Sequence, residues 1–171
     1  MAAVIDRNRL RNAWLGRISG CLLGKPLELE SLHNGPEAVQ AYLAQVDSLP
    51  LRDYVPLGDN VNVGHFQACC RGHITRSEPD DDINCTILAL AVLEACGGRM
   101  QTEDVARAWL RLLPGGATFT AERHAYAELL NRCSDGFAFG EPVGFDLEVC
   151  SDNPCSDWIG AQIRADMYGW V

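Results

Sequence analysis

The chain has 171 residues, and 47% of them are hydrophobic, which is enough to build one domain with a buried core. Acidic residues outnumber basic ones by 23 to 14 and give a net charge of -9, so nucleic acid is not an expected partner. No apolar stretch reaches the roughly 20 residues of a membrane span, and the N-terminal residues lack a signal-peptide core. We therefore predict a soluble, cytoplasmic, single-domain protein, 1–171, without a membrane partner.

Apolar residues recur at helical spacing along the chain, and no run shows the strict alternation of a strand. The predicted fold is therefore all-α. The first predicted helix runs from Asp6 to Leu23 and is closed by Gly24 and Pro26. A second, short helix is predicted to begin near Pro36, because proline is favoured in the first helical turn.

A third predicted helix begins at three consecutive aspartates and ends before Gly97. It is the best candidate for a central core helix, because it carries the apolar residues Ile83, Ile87, Leu90 and Leu93. Thr102 and Thr120 are predicted to cap a fourth and a fifth helix.

Two long segments, 48–79 and 134–155, are rich in Gly, Pro, Asp and Asn and are predicted to be irregular, as functional loops often are. A last helix is predicted from a cap at Ser156 to the final residue, Val171. Because its apolar residues need a partner and no stop signal follows, we expect that the natural polypeptide continues further.

The chain has eight cysteines but no C-x-x-C pair, and several lie in apolar helical patterns. We predict that most are reduced core residues. A zinc site at Cys150 and Cys155 is a weaker alternative. His65 and His73 are predicted to be polar loop residues rather than ligands.

The aspartates Asp80, Asp81 and Asp82 allow two interpretations. An acidic residue at a helix start gains a capping hydrogen bond and a favourable dipole interaction, and one aspartate is enough for that. Three adjacent carboxylates repel one another unless they are solvated or bridged by a hard cation such as Mg2+ or Ca2+. The charge pattern alone leaves both a solvated cap and a metal site open.

Three stretches occur together in the order found in one family: RLRNAWLGRISGCLLGKPLE, RGHITRSEPDDDINCTILAL and DWIGAQIRADMYGWV. The chain resembles the N-terminal part of the ADP-ribosylglycohydrolase family over nearly its whole length. The resemblance implies an all-α, orthogonal helical bundle, here incomplete at its C-terminus. It also implies two magnesium ions and hydrolysis of the glycosidic bond between an ADP-ribosyl group and a protein side chain or small acceptor.

The family commonly has Thr-Asp-Asp at the start of its central helix, which corresponds to Asp80, Asp81 and Asp82 here. The resemblance therefore makes Asp81 and Asp82 the best candidate metal ligands, and Asp80, in place of the threonine, a third candidate. It also implies a catalytic acid/base or water-orienting role for Glu28, for which a solvated loop glutamate is the alternative. Many relatives carry Gly-Asp where this chain has Gly20 and Cys21, so that part of the pattern is not matched.

The resemblance also suggests three substrate-binding candidates, each with a simpler alternative. Asn84 could contact a ligand or make a local capping bond. Arg164 and Asp166 match a segment that lines the cleft in the family, but they could equally serve as surface or ion-pair residues.

The family completes its metal site with a late Asp-x-Asp segment that we do not find in this chain, so reduced hydrolysis is expected. The expected partners are ADP-ribosylated proteins or small conjugates. A non-enzymatic relative with a structural or ADP-ribose-binding role is the alternative. A helical magnesium-dependent pyrophosphohydrolase is a weaker third interpretation, because paired E-x-x-E and E-x-x-D helices are not found.

Overall fold

The computed structural model describes residues 6–138, 148, 151–158 and 160–171. No strand occurs in these residues, which confirms the all-α prediction. No helix in these ranges combines the length and the apolar character needed to cross a membrane. The helices are α1 (Arg7–Gln45), α2 (Val61–Gly64), α3 (Asp81–Cys96), α4 (Thr102–Leu112), α5 (Thr120–Ala138) and α6 (Gly160–Trp170).

The chain divides into two compact units, Met1–Ile83 and Asn84–Val171. The first contains α1, α2 and the start of α3, and the second contains the rest of α3 and the remaining helices. Whether the two units form one domain, as the sequence predicts, stays a prediction.

Helix α1 is longer than the sequence predicts. It begins after Asp6, whose Oδ1 accepts hydrogen bonds from the N–H groups of Asn8 (2.9 Å) and Arg9 (3.3 Å). The predicted end at Gly24 and Pro26 is wrong, because the helix continues through both residues. Gly24 does not adopt the positive φ of a C-terminal glycine cap. Pro26 lacks an N–H group but is fully buried, and this packing offsets the lost helical hydrogen bond.

The break in α1 comes at Gly35 instead, where φ is 82°. Only glycine adopts this conformation without a steric penalty, so Gly35 separates the helix into two parts. Pro36 opens the second part, which confirms the predicted helix start there. Because of this break, residues from both parts of α1 line one cleft.

The core of the first unit contains Tyr42, Leu43, Val55, Val63 and Cys70. Three of these residues belong to the segment 48–79, which contains α2 and a 3-10 turn, Gln67–Cys69. The prediction that the whole segment is irregular is therefore wrong. Sequence periodicity misses these elements because each is shorter than two helical turns.

The Tyr42 hydroxyl connects α1 to the start of this segment. It donates a hydrogen bond to the Pro56 carbonyl oxygen (2.6 Å) and accepts one from the Gly58 N–H (3.0 Å). The Tyr42→Phe variant loses both bonds at a residue that is 3% exposed. We expect its free energy of unfolding in urea to fall by about 1–3 kcal/mol. Tyr54→Phe, outside this core, is the matched control, and an equal loss in both variants would contradict this account.

In the second unit, Leu88, Ala106, Trp109 and Leu129 form the buried core. The predicted inward position of Ile87 on α3 is wrong, because its side chain is 51% exposed. The buried residues of α3 in this unit are Cys85, Thr86, Leu88, Ala89 and Val92. The sequence of α3 is apolar on most sides, so its periodicity does not determine which face points inward.

Two predicted helix caps need correction. Helix α4 begins at Thr102, but its cap is Gln101, whose N–H donates to Asp104 Oδ2 (2.8 Å). Helix α5 begins with Thr120 itself, and the predicted capping role of Thr120 stays a prediction. The last helix, α6, begins at Gly160, and 156–158 form a turn and bend, so the predicted cap at Ser156 is wrong.

The six described cysteines are free thiols. Cys69, Cys70, Cys85 and Cys155 are buried, which fits the prediction of reduced core residues. Cys150 lies outside the described residues, as does the side chain of Cys133, so the zinc alternative stays a prediction. Segment 134–155 is helical up to Ala138, and most of its remainder also lies outside the described residues.

Candidate metal-binding cleft in the first unit

A cleft of about 760 Å³ opens in the first unit, within the range of ligand-binding pockets. One wall comes from the first part of α1, another from the residues after Gly35, and the acidic side chains lie at the start of α3. The charged residues that line it are Arg17, Lys25, Glu28, Asp80, Asp81 and Asp82. The sequence-predicted aspartates and Glu28 therefore share one cleft.

Asp80 is buried, with 8% of its surface exposed, and precedes the first residue of α3. Its Oδ1 accepts a hydrogen bond from the Asp82 N–H (3.0 Å), as expected of a capping carboxylate. Its Oδ2 accepts a hydrogen bond from Lys25 Nζ. The capping interpretation is therefore correct for Asp80, which also holds a basic partner from α1.

The Lys25 ammonium group has two partners, one acidic and one aromatic. Its ammonium group pairs with Asp80 and lies 5.4 Å from the centre of the Phe66 ring, a cation–π geometry. Burial alone would lower the pKa of Lys25, but the hydrogen bond and charge of Asp80 outweigh it and raise the pKa. The ammonium is therefore charged at neutral pH.

Asp82 pairs with a second basic residue of α1, because its Oδ1 lies 3.0 Å from Arg17 Nη1. Burial raises the pKa of Asp82, as does the charge of Asp80, and Arg17 opposes both. The Arg17 guanidinium therefore offsets part of the electrostatic repulsion between the carboxylates of Asp80 and Asp82.

Cys21 lines the same cleft as the aspartates. Its sulfur and the carboxylate oxygens of Asp80 and Asp82 lie within 4.8 Å of one another. Burial raises the pKa of the Cys21 thiol to about 11, with further increases from Asp80 and Asp82. The thiol is protonated at neutral pH and is not a ligand for a hard cation.

The carboxylate oxygens of the cleft are suitable ligands for magnesium, whereas the Cys21 sulfur is not. Carboxylate oxygens are the ligands that Mg2+ prefers, and those of Asp80 and Asp82 are close enough to approach one ion. Asp81 lines the same cleft and is partly exposed. The residues that would hold the ion are thus Asp80, Asp81 and Asp82, and their assignment as ligands stays a prediction.

Glu28 is exposed and lies on the same wall as Arg17 and Lys25. The prediction of a loop residue is wrong, because α1 includes position 28. The catalytic role of Glu28 stays a prediction.

The other three candidates belong to the second unit, where Asn84 is exposed on α3 and Asp166 is partly buried on α6. Arg164, also on α6, pairs with Glu122 of α5 and lies 5.3 Å from the centre of the Trp109 ring. These contacts support the ion-pair alternative for Arg164. Substrate binding by the three residues stays a prediction.

The Arg164→Met variant tests that alternative. Because Glu122 is 9% exposed, removing its partner leaves a poorly solvated carboxylate, and we expect a loss of about 2 kcal/mol of unfolding free energy. Arg99→Met, which removes an exposed positive charge from the same unit, serves as the control and is measured by the same urea titration. Unchanged stability of Arg164→Met would instead favour a role confined to ligand contact.

Arg17 and Lys25 are members of the site that the sequence-based prediction does not include. A signal was present, since Arg17, Cys21 and Lys25 recur every fourth residue and Glu28 follows three residues later. This spacing places all four on one helical face. These four residues differ in charge and polarity. The spacing of apolar residues, which predicts the buried faces of helices, therefore does not reveal the face that they share.

The fold and the cleft define an all-α protein with a candidate site for a hard cation. Residues 3–170 match the sequence model described as ADP-ribosylglycohydrolase, and the chain therefore belongs to this family. The family is a class of metal-dependent hydrolases. No curated protein and no solved structure matches the chain.

Proposed function

We propose that the protein hydrolyses the glycosidic bond of ADP-ribosylated protein side chains or small ADP-ribosyl conjugates, with Mg2+ as cofactor. The observation that carries this proposal is that Glu28 and the three aspartates at the start of α3 line one cleft. Membership of the family supports the reaction class. The choice between protein and small-molecule conjugates is left to the assay.

When bound, magnesium would supply positive charge that orients ribose hydroxyls and water and lowers the pKa of that water. Asp81 and Asp82, with Asp80, are the residues proposed to hold it. Arg17 orients the carboxylate of Asp82 through its ion pair, and Lys25 orients that of Asp80 while no metal ion is bound.

Glu28 is proposed to move the proton. As the water oxygen forms a bond to the anomeric carbon of ribose, the Glu28 carboxylate accepts a proton from that water, and the bond to the acceptor breaks. The departing acceptor leaves with the bonding electrons and takes a proton from solvent or from Glu28. The excess of carboxylates lining the cleft favours the positive charge that develops on ribose in the transition state.

A product assay tests the proposal on the whole chain. ADP-ribosylated arginine, an ADP-ribosylated serine peptide and a small ADP-ribosyl conjugate are incubated with Mg2+ or with a chelator. The expected result is slow, Mg2+-dependent release of intact ADP-ribose from one of them. Phosphate-containing fragments would instead indicate a pyrophosphohydrolase, and no product from any substrate would contradict the proposal.

Binding of ADP-ribose without turnover is the second candidate. It is favoured by the basic partners of Asp80 and Asp82, which neutralise part of the acidic cluster in the absence of a metal ion. Calorimetry with ADP-ribose distinguishes the two candidates when combined with the product assay. Binding in the absence of product would support this role, and absence of both would indicate a structural one.

A further inference from the structure

We propose that Lys25 is a built-in counter-ion of the acidic cluster and competes with divalent cations, so that a metal ion binds by displacing its ammonium group from Asp80. The inference deepens the proposed function and rests on it for the location of the cation site. It assigns to Lys25 a role in setting cation affinity rather than in contacting the substrate.

The Asp80 carboxylate has a different partner at each oxygen. One oxygen accepts the Asp82 N–H at the start of α3, and the other accepts Lys25 Nζ. A metal ion that uses Asp80 must therefore compete either with the helix cap or with Lys25. Displacing the lysine leaves the cap in place, and the flexible lysine stem can carry the ammonium to solvent.

The Asp80 carboxylate is more buried than the Asp82 carboxylate. The side chain of Asp80 is 7% exposed and that of Lys25 is 19% exposed, whereas the Asp82 side chain, which pairs with Arg17, is 34% exposed. Solvent therefore screens the Lys25–Asp80 pair less than the Arg17–Asp82 pair. The Phe66 ring, whose centre lies 5.4 Å from Lys25 Nζ, further favours a cation at this position.

A divalent metal ion and the Lys25 ammonium repel each other because both are positively charged. Ligand atoms of Asp80 and Asp82 lie within 4.8 Å of one another, and Lys25 Nζ is hydrogen-bonded to Asp80, so a metal ion held by these carboxylates would be near the ammonium. At separations of about 5 Å and an effective dielectric constant of about 20, this repulsion exceeds thermal energy several-fold. The cleft can therefore hold Lys25 or a divalent ion at Asp80, but not both tightly.

Direct titration with Mn2+ tests this competition, because carboxylate sites that accept Mg2+ also accept Mn2+, and free Mn2+ is measured by electron paramagnetic resonance. The whole chain is compared with Lys25→Met and Lys25→Gln. Both variants lose the ammonium, and the glutamine retains a hydrogen-bond donor for Asp80. We expect Mn2+ to bind each variant at least about tenfold more tightly than the original chain.

Two control variants separate this effect from general changes in charge. Lys25→Arg keeps the positive charge and is expected to remain within about threefold of the original affinity. Arg76→Met removes an equal charge from an exposed ion pair with Glu78 and is expected to leave the affinity unchanged. Circular dichroism establishes that each titrated variant is folded, and Lys25→Gln provides the answer if Lys25→Met does not fold.

Equal or weaker Mn2+ binding by the folded, neutral Lys25 variant overturns the inference, as does absence of binding in both that variant and the original chain. A purely structural role for Lys25 would weaken binding and is thereby excluded by tighter binding. The titration uses no ADP-ribosyl substrate. Failure of the proposed hydrolysis would therefore appear in the product assay alone and leave the Mn2+ comparison intact.

Discussion

The Glu28→Gln variant is expected to release ADP-ribose at least about 100-fold more slowly than the original chain. Glutamine has nearly the same shape but does not accept a proton from the attacking water. The loss should fall on kcat, with KM little changed, because the exposed side chain is replaced by one of equal size. Initial rates over a range of substrate concentrations provide this separation.

A matched control is Glu94→Gln, which removes an exposed carboxylate that does not line the cleft. Its rate is expected to match that of the original chain. If Glu28→Gln also retained full activity, Glu28 would be an ordinary surface glutamate and another group would have to move the proton.

The Asp80→Ala variant is expected to lose about 2–4 kcal/mol of unfolding free energy, measured by urea titration. It removes the side-chain cap of α3, which contributes about 1 kcal/mol, and leaves the Lys25 ammonium, 19% exposed, without its carboxylate partner. Asp80→Thr is expected to lose less, because a threonine hydroxyl can still cap the helix.

The double variant Asp80→Ala with Lys25→Met identifies the part of the loss that belongs to the ion pair. We expect it to be more stable than the sum of the two single losses predicts, because it leaves neither charge buried alone. Strictly additive losses would show that the pairing of Asp80 with Lys25 contributes nothing to stability and that the cap accounts for the effect of Asp80.

Most helix bounds marked by local signals are predicted correctly, including the end of α3 before Gly97, but the start of the last helix is not. Pro36, Thr102 and Thr120 mark starts within one residue, because their backbone and capping preferences act locally. The predicted end of the first helix at Gly24 is wrong, because glycine and proline occur both at helix ends and, less often, inside helices. The helix continues through Pro26 because this residue is buried against the rest of the fold. Such tertiary packing is not evident from the local sequence.

The acidic half of the cleft was predictable and the basic half was not. Asp80, Asp81 and Asp82 are consecutive, so their mutual repulsion is evident from the sequence. Their partners lie far away in the chain, since Lys25 is 55 residues from Asp80 and Arg17 is 65 residues from Asp82. Charge complementarity across such separations depends on how α1 packs beside the start of α3, which local patterns do not specify.

The two oxygens of Asp80 connect two equilibria that otherwise would be independent. One oxygen accepts a hydrogen bond from the first turn of α3. The other accepts a hydrogen bond from Lys25, the residue proposed to compete with a metal ion for the cleft. By thermodynamic reciprocity, any ligand that binds more tightly when α3 is fully wound at its start must also favour that winding to the same extent. Occupancy of the cleft and order at the helix start can therefore each serve as a readout of the other.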